Sequence, residues 1–287
     1  MSIKNQKKQS SKILVVGATG KVGRQVLKNL IDLGETVRAS SRNPQTANFP
    51  AAVEAVTFDL ERPQTFTSAL EGVNKVFLYA NNGAIQDFAN SAILSSVEHI
   101  VLLSSSSVIS GDANNFLVQR HLAAEQAIIE SGIPFTFLRP GAFSANTLLW
   151  RHQIIQANKV RFAYPLAETA PIHEFDIAAV AAKVLTTPGY EGQSPLLTGP
   201  ESLTQHGQLE LISDAIDKKL VFEELEPDEA LASMSKNMPP AYANILLKVM
   251  KDRVGIPAKI SSAVEEITGI PPKNFSTWAQ ENSMLFQ

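Results

Sequence analysis

Gly17, Gly20 and Gly23 recur at three-residue spacing between an apolar run over residues 13–16 and a run of helical periodicity. Glycine spaced in this way either makes a tight turn or lets the backbone come close to a phosphate. The flanks decide between the two. Residues 13–16 read as a short buried strand, and Val22, Val26, Leu30 and Leu33 then recur at helical spacing, with Gly34 where a left-handed cap belongs. A helix that starts here points its free N–H groups and its positive end back at the turn, so the N–H groups of Thr19, Gly20, Lys21 and Val22 are placed to hold a pyrophosphate. In this reading Gly17 turns the chain, Gly20 makes room for the phosphates, and Gly23 lets the helix lie close to the sheet. The tightness of the turn also raises the expectation of a positive φ at Gly20.

The next polar residues decide which dinucleotide such a turn would serve. An NAD site usually places Asp or Glu about 20 residues past the glycines, to accept a hydrogen bond from the ribose 2′-hydroxyl. Here Ser40, Ser41 and Arg42 occupy that region. A carboxylate would repel a 2′-phosphate, whereas a hydroxyl and a guanidinium donate to it. The expectation is NADP(H) in preference to NAD(H), with Arg42 as the main determinant and Ser41 beside it.

These residues need a scaffold, and the periodicity supplies one. Strands are expected over 13–16, 36–39, 53–58, 75–80, 100–103 and 135–138. Helices are expected over 65–70, 87–97 and 115–131, the last ended by Gly132. Strands alternating with helices make a doubly wound parallel sheet of Rossmann type. The organisation expected is a flexible tail over 1–11, a nucleotide-binding domain over 12–143, and a smaller α/β portion over 144–287 that forms the substrate cleft without a clean boundary.

Composition removes several function classes. The chain has 287 residues, is 44% apolar and 18% charged, and carries a formal charge of −3, which gives no basic face for nucleic acid. The basic arm formed by Lys4, Lys7, Lys8 and Lys12 reads as a solvated tail. No run reaches the roughly 18 apolar residues of a membrane span, and the first apolar run is too short for a secretion signal. The absence of cysteine excludes a thiolate zinc site and a cysteine nucleophile, and suits a cytoplasmic location. His152, His173 and His206 lack metal-ligand spacing, so no metal is expected. The run Ser104, Ser105, Ser106, Ser107 lacks the G-x-S-x-G turn of a hydrolase nucleophile.

Taken together, the glycine turn, the Asp59-Leu60 pair after the third strand, the serine-rich end of the fifth strand, the run His121-Leu-Ala-Ala-Glu125 and the segment Leu138-Arg-Pro-Gly-Ala-Phe-Ser-Ala-Asn146 resemble the NmrA-like, NAD(P)H-binding group of atypical short-chain dehydrogenases/reductases. The segments Pro171-Ile-His-Glu-Phe-Asp176 and Leu197-Thr-Gly-Pro-Glu-Ser-Leu-Thr204 extend the likeness through most of the chain. The resemblance implies a nicotinamide nucleotide and a cleft over the carboxyl ends of the strands. It puts Asp59 and Leu60 beside the adenine. It implies further cofactor contacts from Ala80, Asn81, Asn82, Ser104, Ser105, His121, Gly141, Ala142 and Phe143. Ser106, Phe143, Asn146, Trp150 and His173 are the expected substrate contacts, with Trp150 as an aromatic wall. Asp176 is read as a cap on a helix over 177–185, and residues 231–250 as a mixed apolar stretch able to cover the cleft.

One departure from the wider superfamily bears on the chemistry. Its standard members use a Tyr-x-x-x-Lys pair to exchange a proton with the substrate oxygen. Four residues after Tyr79, Tyr164, Tyr190 and Tyr242 stand Gly83, Glu168, Ser194 and Leu246, and the dyad's place falls to Leu117 and His121. Of these His121 is the candidate catalytic residue, placed either to hydrogen-bond the nicotinamide ribose or relay a proton, or to stand as an ordinary helix histidine. The expected function is therefore an NADPH-dependent reductase that delivers hydride to a delocalised small-molecule electrophile such as a quinone, an iminium or an enone. A non-catalytic NADP(H) sensor with a protein partner is the alternative, and a nucleotide-sugar epimerase a more distant one.

Overall fold

The computed structural model describes residues 11–79, 83–110 and 115–287, so the expected tail lies outside them up to residue 10. Two compact units divide the chain: Met1–Arg139 with Ala178–Pro195, and Pro140–Ile177 with Leu196–Gln287.

In the first unit, β1 (Lys12–Val15), β2 (Thr36–Ser41), β3 (Glu54–Thr57), β4 (Lys75–Tyr79), β5 (His99–Leu103) and β6 (Phe135–Pro140) pair in parallel. The sheet has seven strands in the order β3-β2-β1-β4-β5-β6 followed by Leu196–Leu197, whose Leu197 carbonyl accepts from the Gly141 N–H. β1, β4 and β5 read as near-continuous Ile, Leu and Val because a parallel sheet is covered on both faces. From β1 the chain winds outward through β2 and β3, then returns to β4 on β1's other side. In such sheets ligands bind beyond the carboxyl ends of the strands at this reversal, and the glycine turn leaves β1 there.

Helix α1 (Lys21–Asp32) buries Val22, Val26, Leu27 and Leu30, and Gly34 follows at φ +77. α2 (Phe66–Leu70) and α3 (Ile85–Leu94) carry two rings of an aromatic cluster. Phe66 stacks on Phe58 at 5.1 Å, and Phe88 meets both edge-on at 5.8 and 5.9 Å. The last residue of the serine run opens a one-turn helix, α4 (Ser107–Ser110), which the periodicity does not predict. α5 (Phe116–Ser131) is capped by the Asn115 side chain, which accepts from the Leu117 N–H, and it ends at Gly132 with φ +71.

The second unit opens with a 3-10 turn, Ser144–Trp150, that runs on into α6 (Arg151–Ala157). After β7 (Lys159–Phe162) and β8 (Glu168–Thr169) comes α7 (Glu174–Thr186), which starts three residues ahead of the expected helix and continues into the first unit. β9 (Leu196–Leu197), β10 (Leu203–Thr204), α8 (Gln205–Ala215) and β11 (Val221–Glu224) follow. β11 pairs with β7 in parallel, and β10 with β8 antiparallel. Residues 231–250 are not one stretch but parts of α9 (Pro227–Met234) and α10 (Pro240–Lys251), with Pro239 and Pro240 at the break because proline cannot continue a helix but suits its first turn. α11 (Ala263–Thr268) and α12 (Phe275–Glu281) close the chain around a core that includes Trp150, Ile154, Val160, Leu209, Phe275, Trp278 and Phe286. Among the described residues no helix is long and apolar enough to cross a membrane.

Candidate active site

The turn after β1 is held by the sheet itself. The Val16 N–H donates to the Phe77 carbonyl, the Ala18 N–H to Ser40, and the Gly20 N–H to Gly17 at 2.9 Å. Gly17 has φ +70, while Gly20 is extended at φ −76. The positive φ expected at Gly20 therefore belongs to Gly17, because the chain reverses as it leaves the strand and is already extended when it enters the helix. A Cβ on Gly23 would sit 2.2 Å from the Gly17 carbonyl oxygen, a clash with backbone that no rotamer relieves, and this is why the helix can lie directly on the turn. On Gly20 the same atom would be 3.2 Å away. Among the described residues the N–H groups of Thr19, Lys21 and Val22 find no acceptor. A row of unpaired donors at a helix start, with Thr19 and Lys21 exposed and no side chain on Gly20 between them, fits a pyrophosphate.

At the end of β2 the Ser40 hydroxyl donates to the Val15 carbonyl at 3.2 Å and is thus used by the sheet. The Ser41 hydroxyl is buried with no partner, and Arg42 beside it is exposed and unpaired among the described residues. After β3, the Asp59 carboxylate accepts from the Glu61 N–H at 3.1 Å and its carbonyl from the Arg62 N–H at 2.9 Å, which builds the turn. Leu60 is buried, and its carbonyl accepts from the Ala84 N–H at 2.8 Å. Ala80, Asn81 and Asn82 lie outside the described residues.

Beside the end of β5 lies a buried charge that the sequence shows only as the last residue of the His121-Leu-Ala-Ala-Glu125 run. Glu125, 4% exposed, accepts from the Ser104 hydroxyl at 2.6 Å and from Arg139 through Nε at 3.0 Å and Nη2 at 2.6 Å. The Ser104 hydroxyl is thereby committed to a carboxylate inside the protein. Ser105 accepts from the Ser107 N–H at 3.2 Å, and both Ser105 and Ser106 are half-buried. The signal for this network was present: Glu125 shares its helix face with Ala124 and Ile128, and a glutamate on an apolar face must be paired. One turn earlier on α5 stands His121, half-buried, its Nδ1 buried without a partner. Burial, and then the neighbouring Arg120 guanidinium, hold its pKa below the ordinary histidine value, with Glu125 opposing. The imidazole is neutral at neutral pH.

In the second unit, Gly141, Ala142 and Phe143 run half-buried past β6. The Ala142 carbonyl accepts from Ile172 at 2.8 Å, and the Ser144 N–H donates back to Ile172 at 2.9 Å. Asn146 is exposed. Trp150 is 6% exposed, packed edge-on against Phe222 at 6.3 Å, so most of the expected wall is core and only an edge reaches a cleft. His173 is 9% exposed; its Nδ1 accepts from the Phe175 N–H at 3.0 Å, so Nε2 carries the proton and donates to Glu281 at 3.0 Å. Both ring nitrogens are engaged in tying the start of α7 to α12. Asp176 does not cap α7: it is buried and accepts from the Lys273 N–H at 2.9 Å, and burial pushes its pKa up to about 6.

The donors and glycines of the first unit match a known pattern. Residues 17–188 fit the model of the NAD(P)H-binding family, starting at the first glycine of the turn. The chain belongs to that family. It sits in the NmrA-like, atypical short-chain reductase branch that its motifs resemble, and it is an oxidoreductase. A (4-alkanoyl-5-oxo-2,5-dihydrofuran-3-yl)methyl phosphate reductase from Streptomyces griseus is 38% identical over 279 residues, covering 96% of this chain and 99% of the relative. An NAD(P)H azoreductase from Xenophilus azovorans is 29% identical over 288 residues, with the same coverage, 96% and 99%. The crystal structure of an NADPH-dependent quinone oxidoreductase from Escherichia coli superposes with a TM-score of 0.80 at 25% identity, covering 96% of this chain and 99% of that one.

Proposed function

We propose that this protein uses NADPH to reduce a small molecule whose carbon–carbon double bond is conjugated to carbonyl groups, either an enone or a quinone. The observation that carries the reading is at the dyad's place. Leu117 has no proton to give, and the His121 imidazole is held neutral by burial and by Arg120.

Bound NADPH supplies the hydride. This chain's residues hold the nucleotide: the N–H groups of Thr19, Lys21 and Val22 serve the pyrophosphate, and Ser41 and Arg42 the 2′-phosphate, which is the basis for preferring NADPH to NADH. His121, as a neutral ring, offers one N–H for a hydrogen bond and no cationic acid. An aliphatic ketone accepting hydride develops a localised alkoxide that needs such an acid. Hydride arriving at the β-carbon of an enone leaves an enolate instead, its electron pair spread onto oxygen, and water can protonate the α-carbon afterwards. The name of the Streptomyces griseus relative's substrate describes a ring double bond flanked by a lactone carbonyl and an alkanoyl carbonyl, so an enolate formed there is shared by two oxygens.

Isotope labelling tests this assignment. With NADPH deuterated at the nicotinamide C4 and a 2-acylbutenolide as acceptor, the label is expected at the β-carbon and a solvent proton at the α-carbon. Tight nucleotide binding with no label in product, across quinones and enones alike, would instead favour a nucleotide-state sensor.

A further inference from the structure

We propose that the second unit carries a binding site for a small anionic amphiphile, a molecule with a medium-length alkyl or acyl chain and a phosphate or carboxylate head. The proposal concerns that unit alone; Trp150, an expected substrate contact, borders the same cleft, and the test is a binding measurement without nucleotide or turnover, so its failure is distinguishable from failure of the reduction chemistry. A cleft of about 670 Å³ opens among the 3-10 turn, α6, β7 and α9, within the size range of small-molecule sites. Leu149, which is 61% exposed, presents an uncovered apolar side chain beside it, and Met234 and Met238 line the opposite stretch with flexible thioethers that adapt to chains of varied shape.

The charged side chains that line the cleft, Arg151 and Arg161, are both cations, and none of the described lining residues is Asp or Glu. The Arg151 Nε donates to the Leu285 carbonyl at 2.6 Å, which fixes the guanidinium and leaves its terminal nitrogens without a partner among the described residues. The Arg161 Nε pairs with Glu223 at 2.6 Å, but the same carboxylate also pairs with Lys159 at 2.9 Å, so one negative charge is divided between two cations. Apolar walls with the Arg151 guanidinium among them, unpaired with any carboxylate among the described residues, and Arg161 only partly neutralised select a ligand of the complementary construction: chain on one side, anion on the other. A cation is repelled, and a purely polar anion leaves the apolar wall wet.

Titration calorimetry of the full chain with octyl phosphate, octanol and inorganic phosphate reads this directly. Octyl phosphate is expected to bind one per chain, at least about tenfold more tightly than either of the other probes. Arg151→Met should bring octyl phosphate down to the level of octanol, about 10- to 150-fold for a charge-assisted hydrogen bond, and leave octanol itself unchanged. Leu149→Asp, at an exposed position that does not disturb the core, should weaken octanol and octyl phosphate together. Equal affinity of the wild type for octyl phosphate and octanol would overturn the proposal, as would octyl phosphate binding that both substitutions leave unmoved.

Discussion

At the scale of single residues the proposed preference for NADPH rests on Arg42 and Ser41, an exposed guanidinium beside a buried hydroxyl, neither with a partner among the described residues. A charge-assisted hydrogen bond contributes roughly 1.5–3 kcal/mol, or about 10- to 150-fold in affinity, and only NADPH carries the group that collects it. Arg42→Asp removes the donor and adds an acceptor suited to a free 2′-hydroxyl, so the ratio of NADPH to NADH dissociation constants should invert. The pair of constants must be measured at one moderate salt concentration, because screening weakens exposed contacts. An unchanged ratio would mean that Arg42 is a solvated loop residue. The role proposed for Arg42 can be argued from the sequence because it depends only on charge type and on position after a strand. That of Ser104 cannot, because the carboxylate that consumes its hydroxyl stands 21 residues away on a helix.

Elements impose different demands on the two inner glycines of the turn. Gly23→Ala puts a methyl 2.2 Å from the Gly17 carbonyl, so it should separate α1 from β1 and lower the unfolding temperature sharply. Gly20→Val meets the same oxygen at 3.2 Å, from extended backbone that valine can adopt; it should leave a folded chain that no longer binds nucleotide. Circular dichroism melts with a nucleotide titration distinguish the pair, and retained affinity in Gly20→Val would reduce the loop to a turn. Glu125 ties α5 to the ends of β5 and β6. Removing one member of a buried ion pair strands the other, so Glu125→Ala should cost about 3–5 kcal/mol in urea unfolding, less in so far as water reaches the partly exposed Arg139. Long periodic elements such as α1 and α5, with their terminal glycines, could be read from the sequence. The pair β7 and β11 could not, because neither KVRF nor VFEE is a continuous apolar run and Lys159 meets Val221 only through the fold.

At the scale of the whole molecule, the chain leaves the first unit after Arg139, returns at Ala178, and leaves again after Pro195. Periodicity cannot reveal such crossings, because α7 runs through one of them with a continuous apolar pattern. Near its start, Asp176 makes stability depend on pH. Its pKa rises from 3.8 unfolded to about 6 in the native protein, so between those values the native state holds more protons, and stability falls as pH rises through that window. The deficit above pH 6 is about 3 kcal/mol, as an order of magnitude. Asp176→Asn, which keeps an oxygen for the Lys273 N–H, should be the more stable protein at pH 7.5 and equal to wild type near pH 3.5; a gain of the same size at both would assign the effect to packing. The central claim is that this oxidoreductase works without a side-chain acid, and kcat/KM for NADPH oxidation with a 2-acylbutenolide, a quinone and an aliphatic ketone tests it most directly. The account predicts turnover of the two conjugated acceptors and a ketone rate lower by about 10²- to 10⁴-fold, the usual contribution of a positioned acid. Comparable rates on all three would contradict it.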